Sequence, residues 1–125
     1  MDEVQVKQWI KGCESLRTHP FLDTTGHVTI GWGRCLDNGI SYDEAELMFQ
    51  NDYKNTVDEL EKQDWYLMQP DNVKCALINM NFNLGINKLL TFHRMIAALK
   101  EKNYNLAAVE ALDSVWAKQV HERAK

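Results

Sequence analysis

At 125 residues, 45% of them hydrophobic, the chain is long enough for one domain with a core of its own. Its formal charge of −4, with Lys and Arg scattered among the acids, excludes the basic face of a nucleic-acid binder. The three cysteines lack CxxC spacing and the four histidines form no i, i+4 pair, so neither a disulfide framework nor a metal site is indicated.

The N-terminal MDEVQVK has neither a basic nor an apolar export segment, so no signal peptide is expected. No apolar run approaches the ~20 residues that span a bilayer, which predicts no stable membrane insertion. Val6, Trp9, Ile10, Cys13 and Leu16 recur at helical spacing, and Pro20 disfavours helix at His19. A first helix should therefore end near Leu16 or Arg17, with Glu14 in its last turn. FLDTTGHVTIGWG then reads as a hairpin turning at Gly26, the one convincing β element.

Ser41-Tyr42-Asp43-Glu44 has the form of a capping box, with Ile40 ahead of it and an apolar stripe from Ala45 through Met48, Phe49, Tyr53 and Val57 to Leu60. That helix should run to about Lys62. Another begins near Pro70 and stops at Gly85, and its apolar residues on several sides predict burial almost all round. Phe92, Met95, Ile96 and Leu99 mark a further helix, and Ala108, Ala111, Leu112 and Val115 one more. Helices packed on helices, with one small hairpin, give a predominantly α member of the α+β class. No repeat or linker divides the chain, so a single domain over 1–125 is expected.

The chemistry concentrates between Glu14 and Gly33. With a three-residue loop of Thr25, Gly26 and His27, Asp23 stands opposite Thr29; a two-residue loop would move it to a diagonal position. In either register Thr29, Gly31 and Gly33 alternate with Val28, Ile30 and Trp32, leaving an open trough on their face. Glu14 lies at the negative end of a helix dipole, which disfavours its charged form, whereas Asp23 lies in a hydroxyl-rich turn whose N–H groups favour ionisation. Two carboxyls in such opposed environments suit the acid and base of glycosidic bond cleavage, with the Thr29 hydroxyl able to hold a water. Cys13, beside Glu14, has the helical spacing of a packing residue.

The spacing E-x8-D-x5-T, realised as Glu14, Asp23 and Thr29 and followed by IGWGR, resembles the catalytic segment of the phage-type lysozymes, the muramidases of glycoside hydrolase family 24. GISYDEAELMFQNDY, CALINMNFNLG and LAAVEALDSVWAKQVHERAK resemble that family's later helices. The resemblance implies a lysozyme-like fold in which a small β-hairpin lobe and a larger helical lobe flank a cleft. It implies Glu14 as general acid, Asp23 activating water and Thr29 helping to bind it, for hydrolysis of the β-1,4 link from N-acetylmuramic acid to N-acetylglucosamine in peptidoglycan. It further implies Arg123 as the partner of Glu14, and Phe82, Asn79, Asn83 and Gly31 as substrate-binding or supporting residues. No metal or organic cofactor is implied.

By the same resemblance the chain is an endolysin-like monomer, made in the cytoplasm of a bacterial host and acting on the cell wall, with a holin as its route there. Two departures accompany this reading. Arg34 stands where T-even phage members carry a histidine, and the chain ends where the family continues into a final helix. The alternative is a catalytically silent peptidoglycan-binding or protein-interaction module on the same fold.

Overall fold

The computed structural model describes residues 1–112, and the chain forms two compact units, Met1–Glu46 and Leu47–Lys125. In the first unit α1 spans Glu3–Glu14, started by the Asp2 carboxylate, which accepts from the N–H groups of Val4 and Gln5 at 3.0 and 3.3 Å. It ends at Glu14 rather than near Leu16 or Arg17, because Ser15 takes a positive φ of 61°. A residue in that region breaks the helical path and sends the chain directly into a strand.

The strands β1 (Arg17–Leu22), β2 (Val28–Gly31) and β3 (Arg34–Cys35) form one antiparallel sheet in that order. The hairpin was legible; β3, only two residues long, was not. Pro20 lies in β1, an edge strand, where its missing N–H removes no central ladder bond. A 3-10 turn over Leu36–Asn38 leads to the capping box. There the Glu44 N–H donates to Ser41 Oγ at 3.1 Å and the Ser41 N–H donates to Glu44 Oε1 at 2.9 Å, opening α2 (Tyr42–Glu61) as the sequence predicts. The first turn of α2 belongs to the first unit and the rest to the second.

The second unit adds α3 (Asp64–Leu67), α4 (Asp71–Leu84), α5 (Ile86–Leu89), α6 (His93–Lys100) and α7 (Tyr104–Leu112). Leu60, Trp65, Leu77, Met80, Leu89, Met95 and Leu99 form the centre of its hydrophobic core. Two buried amides stitch the helices together. Gln69 Nε2 donates to the carbonyls of Trp65 and Leu99 at 2.6 and 3.0 Å, and Asn81 Nδ2 donates to the Thr56 carbonyl at 3.0 Å. As expected, α4 starts just after Pro70 and stops at Gly85, whose φ is 83°. It is not buried all round, however: Leu77, Met80 and Asn81 are covered while Cys75 and Phe82 are exposed. In α7 the buried residue is Ala107, and Val115 lies outside the described residues. The described chain is thus mostly helical with a small antiparallel sheet, a predominantly α member of the α+β class.

Candidate active site

Glu14 is the last residue of α1, and its carboxylate lies against the turn between β2 and β3. An ideal Cβ built on Gly33 would fall 2.8 Å from Glu14 Oε2 and 3.3 Å from its Cδ. Gly33 also has a φ of 90°, so both the space and the backbone conformation require glycine there. Lys11, one turn before Glu14, places its Nζ 4.3 Å from the centre of the Trp32 ring, a second tie between the end of α1 and this turn. The trough expected over Thr29, Gly31 and Gly33 is therefore open at Gly31, where a Cβ would meet empty space, and filled at Gly33 by the glutamate itself.

The hairpin register pairs Phe21 with Thr29 and Leu22 with Val28. Its loop is Thr24, Thr25 and Gly26, closed by the Gly26 N–H donating to the Asp23 carbonyl at 3.1 Å and the Asp23 N–H donating to the His27 carbonyl at 2.9 Å. Gly26 supplies the positive φ, 84°, that a three-residue hairpin needs at its last loop position. Asp23 consequently stands diagonal to Thr29, not opposite it. The reason is the Asp23 side chain, which binds the turn from within.

Asp23 Oδ1 accepts from the Thr25 N–H at 2.9 Å, the Thr25 hydroxyl at 2.8 Å and the His27 N–H at 2.8 Å. The His27 N–H above all, then the Thr25 hydroxyl, holds this carboxyl below its usual range, and the His27 ring adds a smaller pull in the same direction. The expectation that Asp23 is ionised in a hydroxyl-rich turn thus has a geometric cause. Thr29 is 4% exposed, and its hydroxyl donates to the His27 carbonyl at 3.0 Å. Its one proton is used within the strand, so a water could meet Thr29 Oγ1 only as a donor.

Arg34 forms an ion pair of its own. Its Nη1 donates to Glu44 Oε1 at 2.9 Å and to the Gly39 carbonyl at 3.3 Å, and its Nη2 lies 2.8 Å from Glu44 Oε2. This two-pronged contact, with the Ser41 N–H behind it, pushes the Glu44 carboxyl down to about 2. It fastens the segment just after Gly33 to the start of α2.

The remaining candidates lie elsewhere. In the second unit Asn83 Nδ2 donates to Asn79 Oδ1 at 3.2 Å, and Phe82 is 42% exposed with its ring 5.7 Å from that of Phe49. Phe82 and Asn79 line a groove of about 310 Å³ with Phe49, Tyr53, Cys75 and Ile78. Arg123 lies outside the described residues. Within the first unit the structure links Asp23 and Thr29 through His27, and sets Glu14 on Gly33. Sequence reading passed over Gly33, Thr25 and His27 as supports of these groups. The available signal was the density of hydroxyl, imidazole and glycine around Asp23.

A family model described as phage lysozyme matches residues 11–124. Among curated proteins the chain is similar to "Probable T4-type lysozyme 2" of Dictyostelium discoideum, 24% identical over 150 aligned residues that cover 95% of this chain and 88% of that protein. It is also similar to "Probable T4-type lysozyme 1" of the same organism, 32% identical over 89 residues covering 68% of this chain and 52% of that protein.

Proposed function

Because the chain belongs to the phage lysozyme family, a family of muramidase-type glycosidases, we propose that it hydrolyses the β-1,4 bond from N-acetylmuramic acid to N-acetylglucosamine in peptidoglycan, with Glu14 as acid and Asp23 as base. The observation that carries this reading is that the fold places both carboxyls of the triplet. Asp23 is held ionised by three donors on one oxygen, and Glu14 is seated at the end of α1 against the Cβ-free backbone of Gly33.

In the proposed step the glycosidic oxygen takes the proton of Glu14 as the bond to the sugar C1 breaks. A water oxygen forms the new bond to C1 and gives its proton to Asp23, so charge and protons balance. Thr29 Oγ1 accepts the water's second hydrogen. This single displacement inverts the anomeric centre and calls for carboxyls roughly 6.5–9.5 Å apart, a separation that leaves room for the water. Gly31, with open space in place of a side chain, admits the sugar. In the second unit Phe82, Asn79 and Asn83 are further candidates for contact with a glycan.

The test is Glu14→Gln on purified peptidoglycan, read as reducing ends released. Gln keeps the shape and removes the transferable proton, so turnover should fall at least ~10²-fold with binding retained. Near-normal release would overturn the assignment. Binding by the wild-type chain without any release would show a silent peptidoglycan-binding module instead.

A further inference from the structure

His27 meets both water-handling residues at once. Its N–H donates to Asp23 Oδ1 at 2.8 Å, and its carbonyl accepts from the Thr29 hydroxyl at 3.0 Å. Its ring Nδ1 lies 2.7 Å from Thr25 Oγ1, which is itself 2.8 Å from Asp23 Oδ1. Thr25 has one hydroxyl proton. Asp23 as a carboxylate can only accept, so that proton goes to Asp23 and the Thr25 oxygen must accept from His27. The imidazole therefore carries its proton on Nδ1.

We propose that His27 is a positioning residue for hydrolysis, acting through the Thr25 hydroxyl to turn Asp23 so that Oδ1 is occupied and Oδ2 faces the attacking water. This rests on the reading of Asp23 as the base. A hairpin staple alone would need only the peptide N–H groups of Thr25 and His27, which already close the turn. The two side chains add nothing to that closure; what they add is a third donor on Oδ1 and a link to solvent. The His27 side chain is 53% exposed, and its Nδ1 is 3.9 Å from Asp23 Oδ1. The other ionisable groups of the strand are engaged apart from Asp23: Arg17 lies over the Phe21 ring at 4.6 Å and His19 is against the Thr18 hydroxyl at 3.4 Å. Among the described residues the His27 ring is the imidazole that lies beside Asp23.

Carboxyl carbon-13 NMR titration reads Asp23 directly and needs no turnover. The proteins are wild type, Thr25→Val, His27→Ala, the double variant and, as the conservative control, Thr25→Ser. The Asp23 midpoint should rise in Thr25→Val and in His27→Ala, and stay near wild type in Thr25→Ser. If His27 acts through the hydroxyl, His27→Ala should shift the midpoint less in the Thr25→Val background than in wild type. Equal shifts in both backgrounds, an unmoved midpoint in His27→Ala, or nitrogen-15 spectra placing the neutral ring's proton on Nε2 would each overturn the proposal. In the hydrolysis assay the acidic limb of the kcat profile should rise with the NMR midpoint while KM holds. A wild-type chain with coupled midpoints and no hydrolysis would sink the muramidase reading and leave the hydrogen-bond chain standing. Hydrolysis with uncoupled midpoints would do the reverse.

Discussion

The two units are held together by different physics. In the second, the buried apolar side chains from Leu60 to Ala107 form a continuous core, and its polar interior groups, Gln69 and Asn81, serve to join helices across that core. In the first, α1 buries none of its residues and the buried residue among Met1–Glu46 is polar, Thr29. What fixes its geometry is directional: a capped helix start, a hydrogen-bonded turn, an ion pair and glycines at positive φ. Apolar burial tolerates small displacements, whereas hydrogen bonds and close backbone contacts do not. The unit with the weaker core is therefore the one in which the candidate catalytic groups are placed most narrowly.

That contrast is open to direct attack. Leu60 is fully buried, so Leu60→Ala should cost about 2–5 kcal/mol in denaturant unfolding. It should do so while leaving the hairpin's amide signals in place; a collapse of both units together would erase the distinction. Gly33→Ala should do the opposite. A methyl 2.8 Å from Glu14 Oε2 must displace the carboxylate, and a displacement of about 1 Å is enough to lower kcat by ~10²-fold. Unfolding assays on this variant should show a loss nearer 1 kcal/mol, set by the positive φ. A variant with normal kcat would mean that Glu14 does not work from this position.

Thr29→Val is smaller and joins the two sides of the comparison. An open cleft position would have left stability untouched. With Thr29 buried and bonded to the His27 carbonyl, losing the hydroxyl should lower stability by about 1 kcal/mol as well as reduce hydrolysis. Unchanged stability would show that the bond contributes nothing to the fold. Least in size is the Arg34 and Glu44 pair, whose signature is its pH range. The Glu44 carboxyl is depressed to about 2 from its ordinary value of 4.5 by the Arg34 guanidinium and the Ser41 N–H. Its contribution is thus complete above the unfolded value and fades as pH falls through the folded one. Wild type and Glu44→Gln should differ in melting temperature by a constant amount from neutral pH to about 5, and converge near pH 2. A difference that closes already by pH 5 would rule out the ion pair as its cause.

Long, punctuated elements were legible. Ser41 and Glu44 announce the start of α2, and Pro70 and Gly85 bracket α4, because capping and φ restrictions are written in single residues. The four-residue helices α3 and α5 are shorter than the window over which a helical period can be read. The candidate triplet was legible as a spacing, yet its geometry was not. Asp23, Thr24, Thr25 and Gly26 all favour turns, so composition left the register open, and the side-chain bonds of Asp23 decided it. The approach of Glu14 to Gly33 joins residues on separate elements, which no local pattern encodes. Arg34 shows the limit of resemblance: the departure from a histidine was visible, but its new partner, Glu44, depended on how the turn folds back on α2.

Pro20 has a further consequence, for how the molecule behaves in company. A three-stranded sheet has two open edges, each able to template pairing with a neighbouring chain. One is β1, interrupted by a residue that cannot donate; the other is β3, two residues long, one of them the charged Arg34. Neither edge offers the uninterrupted row of donors and acceptors that a foreign strand would need to register. The hairpin that carries Asp23 and Thr29 thus lacks a continuous edge for a neighbour to extend, and restoring a donor by Pro20→Val should create one, read as self-association at high concentration.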